Sequence, residues 1–185
     1  MIKWRCTLCG ECCKRYVPLV LPEDVRRIQD TLQRPLSSFV TFYRPTDLDE
    51  PLEDSDERLF QTKDGKVAMG LSRVALEGEE REGCVFLKNN LCSIHEFSPL
   101  LCRQYPFEPQ NTGDVDGPFQ LVENVCFGKH AEDEVVDESP FRRNYRLFHQ
   151  KYDEHIRQIA QWNANPQSGD KSIEDFLSFV GLQWS

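Results

Sequence analysis

The sequence predicts an α+β fold in which small antiparallel hairpins and metal-ligand loops pack against helices, one of them long and near the C-terminus. Three observations predict it. Asp64-Gly65 is a strong turn pair between Phe60-Gln61-Thr62 and Val67-Ala68-Met69. Phe141, Tyr145, Phe148, Tyr152, Ile156 and Ile159 recur at helical spacing behind Ser139-Pro140. The run Cys6-Thr7-Leu8-Cys9-Gly10-Glu11-Cys12-Cys13 sets four thiols within eight residues, which packing never requires and soft metals do.

Size and composition bound the rest. A chain of 185 residues is one domain, or one with an appendage. With 39% hydrophobic residues and 12 Phe, it has enough apolar side chain for a core, and no apolar run is long enough to span a bilayer. Met1-Ile2-Lys3-Trp4-Arg5 leads straight into the cysteines, so a signal peptide does not fit there and a cytoplasmic location is expected. In a reducing cytosol the eight cysteines point to metal or catalysis before disulfides. The formal charge of −9 argues against a nucleic-acid partner, which requires basic surface, and against docking on an anionic membrane.

The elements follow in order. Tyr16 to Leu21 reads as a short strand. Pro22-Glu23-Asp24 opens a helix, with proline at its first position and acids in its first turn; Val25, Ile28 and Leu32 form its buried stripe and Pro35 stops it. Ser37 to Tyr43 reads as another short helical segment. Residues 46–58 carry seven acids and read as a solvated loop, with a contact surface for a basic partner as the sharper alternative. The hairpin of residues 59–71 comes next, and the charged stretch from Arg73 to Gly83 reads as loop. Cys84 to Leu87 is a strand, Lys88-Asn89-Asn90 a turn and Leu91 to Ile94 its return. Ser98-Pro99 caps a short helix that Pro106 ends. Phe119 to Val122 is the last strand. The long helix runs from Pro140 to about Trp162, and Ser172 with Asp175 makes a capping box before a final helix carrying Ile173, Phe176, Leu177 and Val180. No internal repeat is visible.

Chemistry centres on the thiols. Cys6, Cys9 and Cys12 stand three apart, a step that wraps three sulfurs around one centre, and Gly10 supplies the backbone freedom of a tight ligand loop. Neighbouring side chains diverge in extended or turn geometry, so Cys12 and Cys13 are expected to serve different centres or different irons. With Cys84, Cys92, Cys102 and Cys126 the donors number eight, which suits one or two [4Fe-4S] clusters, two zinc ions, or one of each. The preferred partition gives Cys6, Cys9 and Cys12 one remote cysteine, and gives Cys13 three of the later ones. His95, three residues after Cys92, is either a substitute ligand or a hydrogen-bonding neighbour. His130, His149 and His155 have no ligand spacing and read as surface or helix-face residues. Arg103, one residue past Cys102, either donates to cluster or cysteine sulfur or ties down its loop through carbonyls. Arg5, Lys14 and Arg15 balance thiolate charge. A free Cys13 thiolate acting as a nucleophile ranks below ligation.

Taken together, C-x2-C-x2-C-C at Cys6–Cys13, Gly83-Cys84-Val85-Phe86-Leu87, Cys92-Ser93-Ile94-His95 and Ser98-Pro99-Leu100-Leu101-Cys102-Arg103-Gln104-Tyr105-Pro106-Phe107 resemble the CxxCxxCC cysteine-cluster family, also called the YkgJ family, whose members are described as chelators of zinc or iron. The resemblance covers roughly residues 1–127. It divides the chain into a cysteine-cluster metal-binding domain, 1–127, and a C-terminal helical extension, 128–185. Where the family usually has Arg-Pro before the third of the later cysteines, this chain has Ser98-Pro99. The resemblance implies metal binding. Some relatives are flagellin lysine N-methylases, with more chain around the cluster; no glycine-rich loop for S-adenosylmethionine is visible here, so a lysine methyltransferase-related enzyme is an alternative only. The leading expectation is an iron–sulfur protein that transfers electrons or supports a partner enzyme, with a protein partner and no stand-alone catalysis. A structural zinc-binding interaction module is the second.

Overall fold

The structure, a computed structural model, describes residues 9–78, 80–111, 114, 116–122 and 136–184. Its centre is a three-stranded antiparallel sheet of β1 (Val40–Tyr43), β2 (Phe60–Thr62) and β3 (Gly65–Leu71) in the order β1-β3-β2. Gly65, at φ +110°, makes the tight turn that returns β2 into β3, as Asp64-Gly65 predicts. Residues 40–43 are not helical as expected. Val-Thr-Phe-Tyr is β-branched and aromatic, suits a pleated surface, and pairs in register from Val40 opposite Leu71 to Tyr43 opposite Ala68. Only Leu36–Ser38 before it forms a 3-10 turn. The segment before the first long helix is strand-like in one place: Val20 N donates to Met69 O at 3.0 Å and Pro18 O accepts from Leu71 N at 3.0 Å. Pro18 has no N–H of its own to extend that pairing.

The helices close over this sheet. Glu11–Arg15 forms α1 and Pro22–Leu32 forms α2, whose Val25 and Ile28 are fully buried. Leu100–Gln104 is α3, Ser139–Asn163 is α4 and Ile173–Phe179 is α5. The predicted capping box holds α5: Ser172 N donates to Asp175 Oδ2 at 2.8 Å, and Asp175 N donates to Ser172 Oγ at 3.3 Å. Phe176 of α5 stacks on Phe60 of β2, with centroids 3.6 Å apart and planes 8° apart, and meets Trp162 of α4 edge-on. The main core therefore joins β1–β3, α2, α4 and α5, and reaches Cys84, Phe86 and Ile94.

The remaining sheet is in two-stranded pieces. The charged stretch expected as loop pairs instead: β4 (Arg73–Ala75) lies antiparallel to β5 (Glu82–Cys84). In the next hairpin β6 (Leu87–Lys88) returns as β7 (Leu91–Cys92) through Asn89 and Asn90, both at positive φ, which asparagine tolerates. Last come β8 (Phe107–Pro109) and β9 (Phe119–Leu121), where Phe107, Phe119 and Tyr145 form a second small core against α4. The acidic residues 46–58 run as irregular chain after a 3-10 turn at Pro45–Asp47, with Asp49 paired to Arg73 and Asp56 to Arg58. No described helix is long and apolar enough to cross a membrane.

Candidate metal centre

Six of the eight cysteines fall among the described residues, and none of these six forms a disulfide. Cys6 and Cys126, with Arg5 and His130, lie outside them. Cys9 ends just before Gly10. Gly10 stands at φ +72°, and a Cβ there would press to 3.2 Å on the Asn90 backbone and on Leu87. Glycine is thus required twice, by the left-handed backbone and by the close approach to the β6–β7 turn.

Cys12 and Cys13 follow on α1, so the doubled pair is helical rather than extended, and its sulfurs are 4.0 Å apart. Two arginines lash α1 to the β4–β5 hairpin. Arg73 Nη2 donates to Lys14 O at 2.7 Å and Glu82 O at 2.6 Å. Arg81 grips both carboxylate oxygens of Glu11, at 3.1 and 2.8 Å. The hairpin presents Cys84 at its end, buried in the core, and Cys92 arrives half-buried on β7.

Cys102 comes on α3, which is held from a distance. Asp24 of α2, 76 residues earlier in sequence, accepts Leu100 N at 3.1 Å. This carboxylate, and not Ser98, caps the helix; the Ser98 hydroxyl donates to His95 O at 3.0 Å. Arg27 pairs with Asp24 at 2.5 Å and donates to Phe97 O and Ser98 O at 3.3 and 2.9 Å. Arg103 donates from Nε to Ser98 O at 2.9 Å and from Nη2 to Glu96 O at 2.8 Å, the loop-tying geometry. Burial pushes the Asp24 carboxyl up, while the Arg27 ion pair and the Leu100 N–H pull it back. Asp24 and Arg27 read in sequence as an ordinary i,i+3 helix pair; their backbone partners Leu100, Phe97 and Ser98 are too remote for sequence reading to detect. His95 lies exposed on a 3-10 turn.

The thiols act on one another electrostatically. Cys13 feels Cys12, Cys84 and Cys102, and Cys102 feels Cys84, Cys92 and Cys12. Five sulfurs from α1, β5, β7 and α3 therefore share one neighbourhood. The Cys13 thiol hydrogen-bonds Cys12 and lowers it to about 7, against burial; the same bond pushes Cys13 up. Burial raises Cys84 to about 11, and raises Cys92 and Cys102. Beyond a first thiolate at Cys12, a site of this kind resists further ionising unless a cation arrives to share the charge. Arg73 brings one positive charge to bear on Cys84 and pulls that thiol down against its burial. The donor set fits a thiophilic metal. Among the described residues, no three His, Cys, Asp or Glu side chains stand ready to hold a single ion.

Comparison with known proteins agrees with this chemistry. The sequence profile of the CxxCxxCC family, described as a "putative zinc- or iron-chelating domain", matches residues 5–127. The chain belongs to the CxxCxxCC family. The matched stretch runs from the cysteine run to the residue after Cys126 and stops short of α4. An uncharacterised protein of Methanocaldococcus jannaschii is 40% identical over 52 residues, which are 25% of this chain and 18% of that protein. The match thus spans under a fifth of that relative's length. No solved structure matches the chain.

Proposed function

We propose that this CxxCxxCC protein binds an iron–sulfur cluster through its thiols and uses it to pass electrons to, or to support, a protein partner. The convergence of Cys12, Cys13, Cys84, Cys92 and Cys102 from four separate elements carries the reading. Thiolates sharing a single ion must crowd to about 4 Å from one another, since each lies about 2.3 Å from the metal. A multi-iron cluster accepts sulfurs set further apart, which suits donors brought in from four separate elements. A bound cluster supplies reversible one-electron chemistry. The chain's part is to hold the ligands, to set Arg73 against Cys84 where negative charge gathers, and to fix the Cys102 helix with Asp24, Arg27 and Arg103.

A closed four-thiolate zinc site used for structure is the second reading. The 4.0 Å separation of the Cys12 and Cys13 sulfurs favours it, because that is near the edge of a zinc–thiolate tetrahedron, about 3.8 Å. Purification without oxygen decides between them. A brown protein with iron and acid-labile sulfide is expected; a colourless protein filled with zinc overturns the iron–sulfur reading.

A further inference from the structure

Leu19, Leu21, Ala68, Met69, Leu101 and Phe148 wall a cavity of about 320 Å³ between β3, the strand-like segment before α2, α3 and α4. Leu21, Ala68 and Met69 lie buried, whereas Arg58 and Tyr152, which line it too, are partly exposed. His149 and His155 complete the polar lining.

The partly exposed edge is tied to the acidic stretch 46–58. Arg58, the one Lys or Arg of the lining, donates from Nε and Nη2 to the two oxygens of Asp56 at 2.8 and 2.6 Å. The Tyr152 hydroxyl donates to Glu57 Oε1 at 2.8 Å. Asp56 is thus used by Arg58, and Asp49 by Arg73. Glu50, Glu53, Asp54 and Glu57 are exposed, and among the described residues no cation pairs with them. Lys66 Nζ donates to the Asp54 backbone carbonyl at 2.6 Å, not to a carboxylate. An apolar cavity therefore opens beside a row of acids that lack counter-charges.

We propose that this cavity docks a protein partner through one large apolar side chain, Phe or Leu, flanked in the partner's chain by lysines or arginines. The anchor enters the cavity, and its basic neighbours meet Glu50, Glu53, Asp54 and Glu57. The volume lies at the small end of ligand sites and suits one aromatic side chain with the backbone that carries it. Phe148 offers a ring face and Met69 a polarisable thioether, both of which receive an aromatic anchor well. The flanks are basic because the guanidinium at the edge is already matched by Asp56 while several carboxylates are not. The occupant is a protein segment because the acids are spread along residues 50–57, a span that several side chains can reach and one small headgroup cannot. Leu101 stands one residue before Cys102, so the anchor touches the helix that carries a thiol. The inference rests on the partner half of the reading above and is independent of which metal the thiols hold.

Calorimetric titration of the full chain, as purified, with three short peptides tests it. The first has one phenylalanine between runs of lysines, the second alanine in place of that phenylalanine, and the third the phenylalanine between runs of glutamates. The first is expected to bind about tenfold tighter than either of the others, through ring burial in one case and charge in the other. Ala68→Leu, which fills the space, removes the preference for phenylalanine over alanine. Glu53→Lys with Asp54→Lys, both exposed and outside every helix and strand, removes the preference for lysine flanks. Equal affinity of the unmodified chain for the first two peptides, or no binding of the first at millimolar concentration, overturns the proposal even if Ala68→Leu fails to fold. So does a glutamate-flanked peptide that binds as well as the lysine-flanked one. Iron and sulfide analysis of the same sample reads the metal separately, so a failure of docking and a failure of the iron–sulfur reading are told apart.

Discussion

Around Phe60 and Phe176 the chain packs ring on ring, whereas around Cys12 and Cys102 it is lashed together by guanidiniums, carboxylates and carbonyls. The first region has a seven-residue strand, a 25-residue helix and side chains with no exposed surface. The second hangs its thiols on two five-residue helices and on strands of two and three residues. Helices that short do not hold themselves in water. The contrast teaches that one region is specified by burial, and that the other is a set of short pieces tethered by side chains.

Removing the metal tests that contrast hardest. After anaerobic chelation, amides of α1, β5–β7 and α3 are expected to exchange freely while those of β3 and α4 stay protected. Structural zinc sites contribute on the order of 10–16 kcal/mol to the parts they hold, so the effect is large. Hydrogen exchange read by mass spectrometry measures it, and uniform loss or uniform retention of protection would break the comparison.

A cut on the other side comes next. Phe176→Ala removes a ring with no exposed surface that stacks on Phe60, and is expected to cost about 3–5 kcal/mol in urea denaturation. Metal stoichiometry of the folded protein should not change, because Phe176 lies outside the thiol neighbourhood. Metal lost in proportion to stability would show that the two regions are one.

The smallest effect is a pH slope confined to the first region. Burial depresses His155 from an ordinary 6.5 to about 4. As pH falls from 7 to 5, the unfolded chain takes up a proton that the folded chain refuses, so stability falls by about 2 kcal/mol. Below the folded value the loss stops growing. Arg58, His149 and Tyr152 line one cavity with His155, and Phe176 packs on it from α5. His155→Gln should flatten the slope, compared by urea midpoints at the two pH values. An unchanged slope would assign it to other groups.

Local signals were legible. Proline at the first turn of α2, the Asp64-Gly65 return and the Ser172–Asp175 box are short-range chemistry, and each stands where the sequence predicts. The cysteine run announced metal, and the chain belongs to a family described as a zinc- or iron-chelating domain. What stayed hidden is non-local. Val40–Tyr43 becomes a strand because β3 arrives well downstream to pair with it. Arg73–Gly83 pairs despite its charge because two of its arginines are used to bind α1. His155 looked like a helix-face residue and is buried, since α5 and the segment before α2 close over positions that helical spacing alone leaves open. The cap from Asp24 crosses 76 residues, and no window of sequence contains both ends.

The stacking of Phe60 on Phe176 also governs how this protein can be divided. The family match ends at residue 127, yet the inner side of β2 and β3 is covered by rings from beyond it. An expression boundary drawn at the family limit would leave Phe60 and Val67 facing water, and the fragment would seek that cover in a second copy of itself. The C-terminal helices are the lid of the sheet, so the smallest soluble version of this family member includes them.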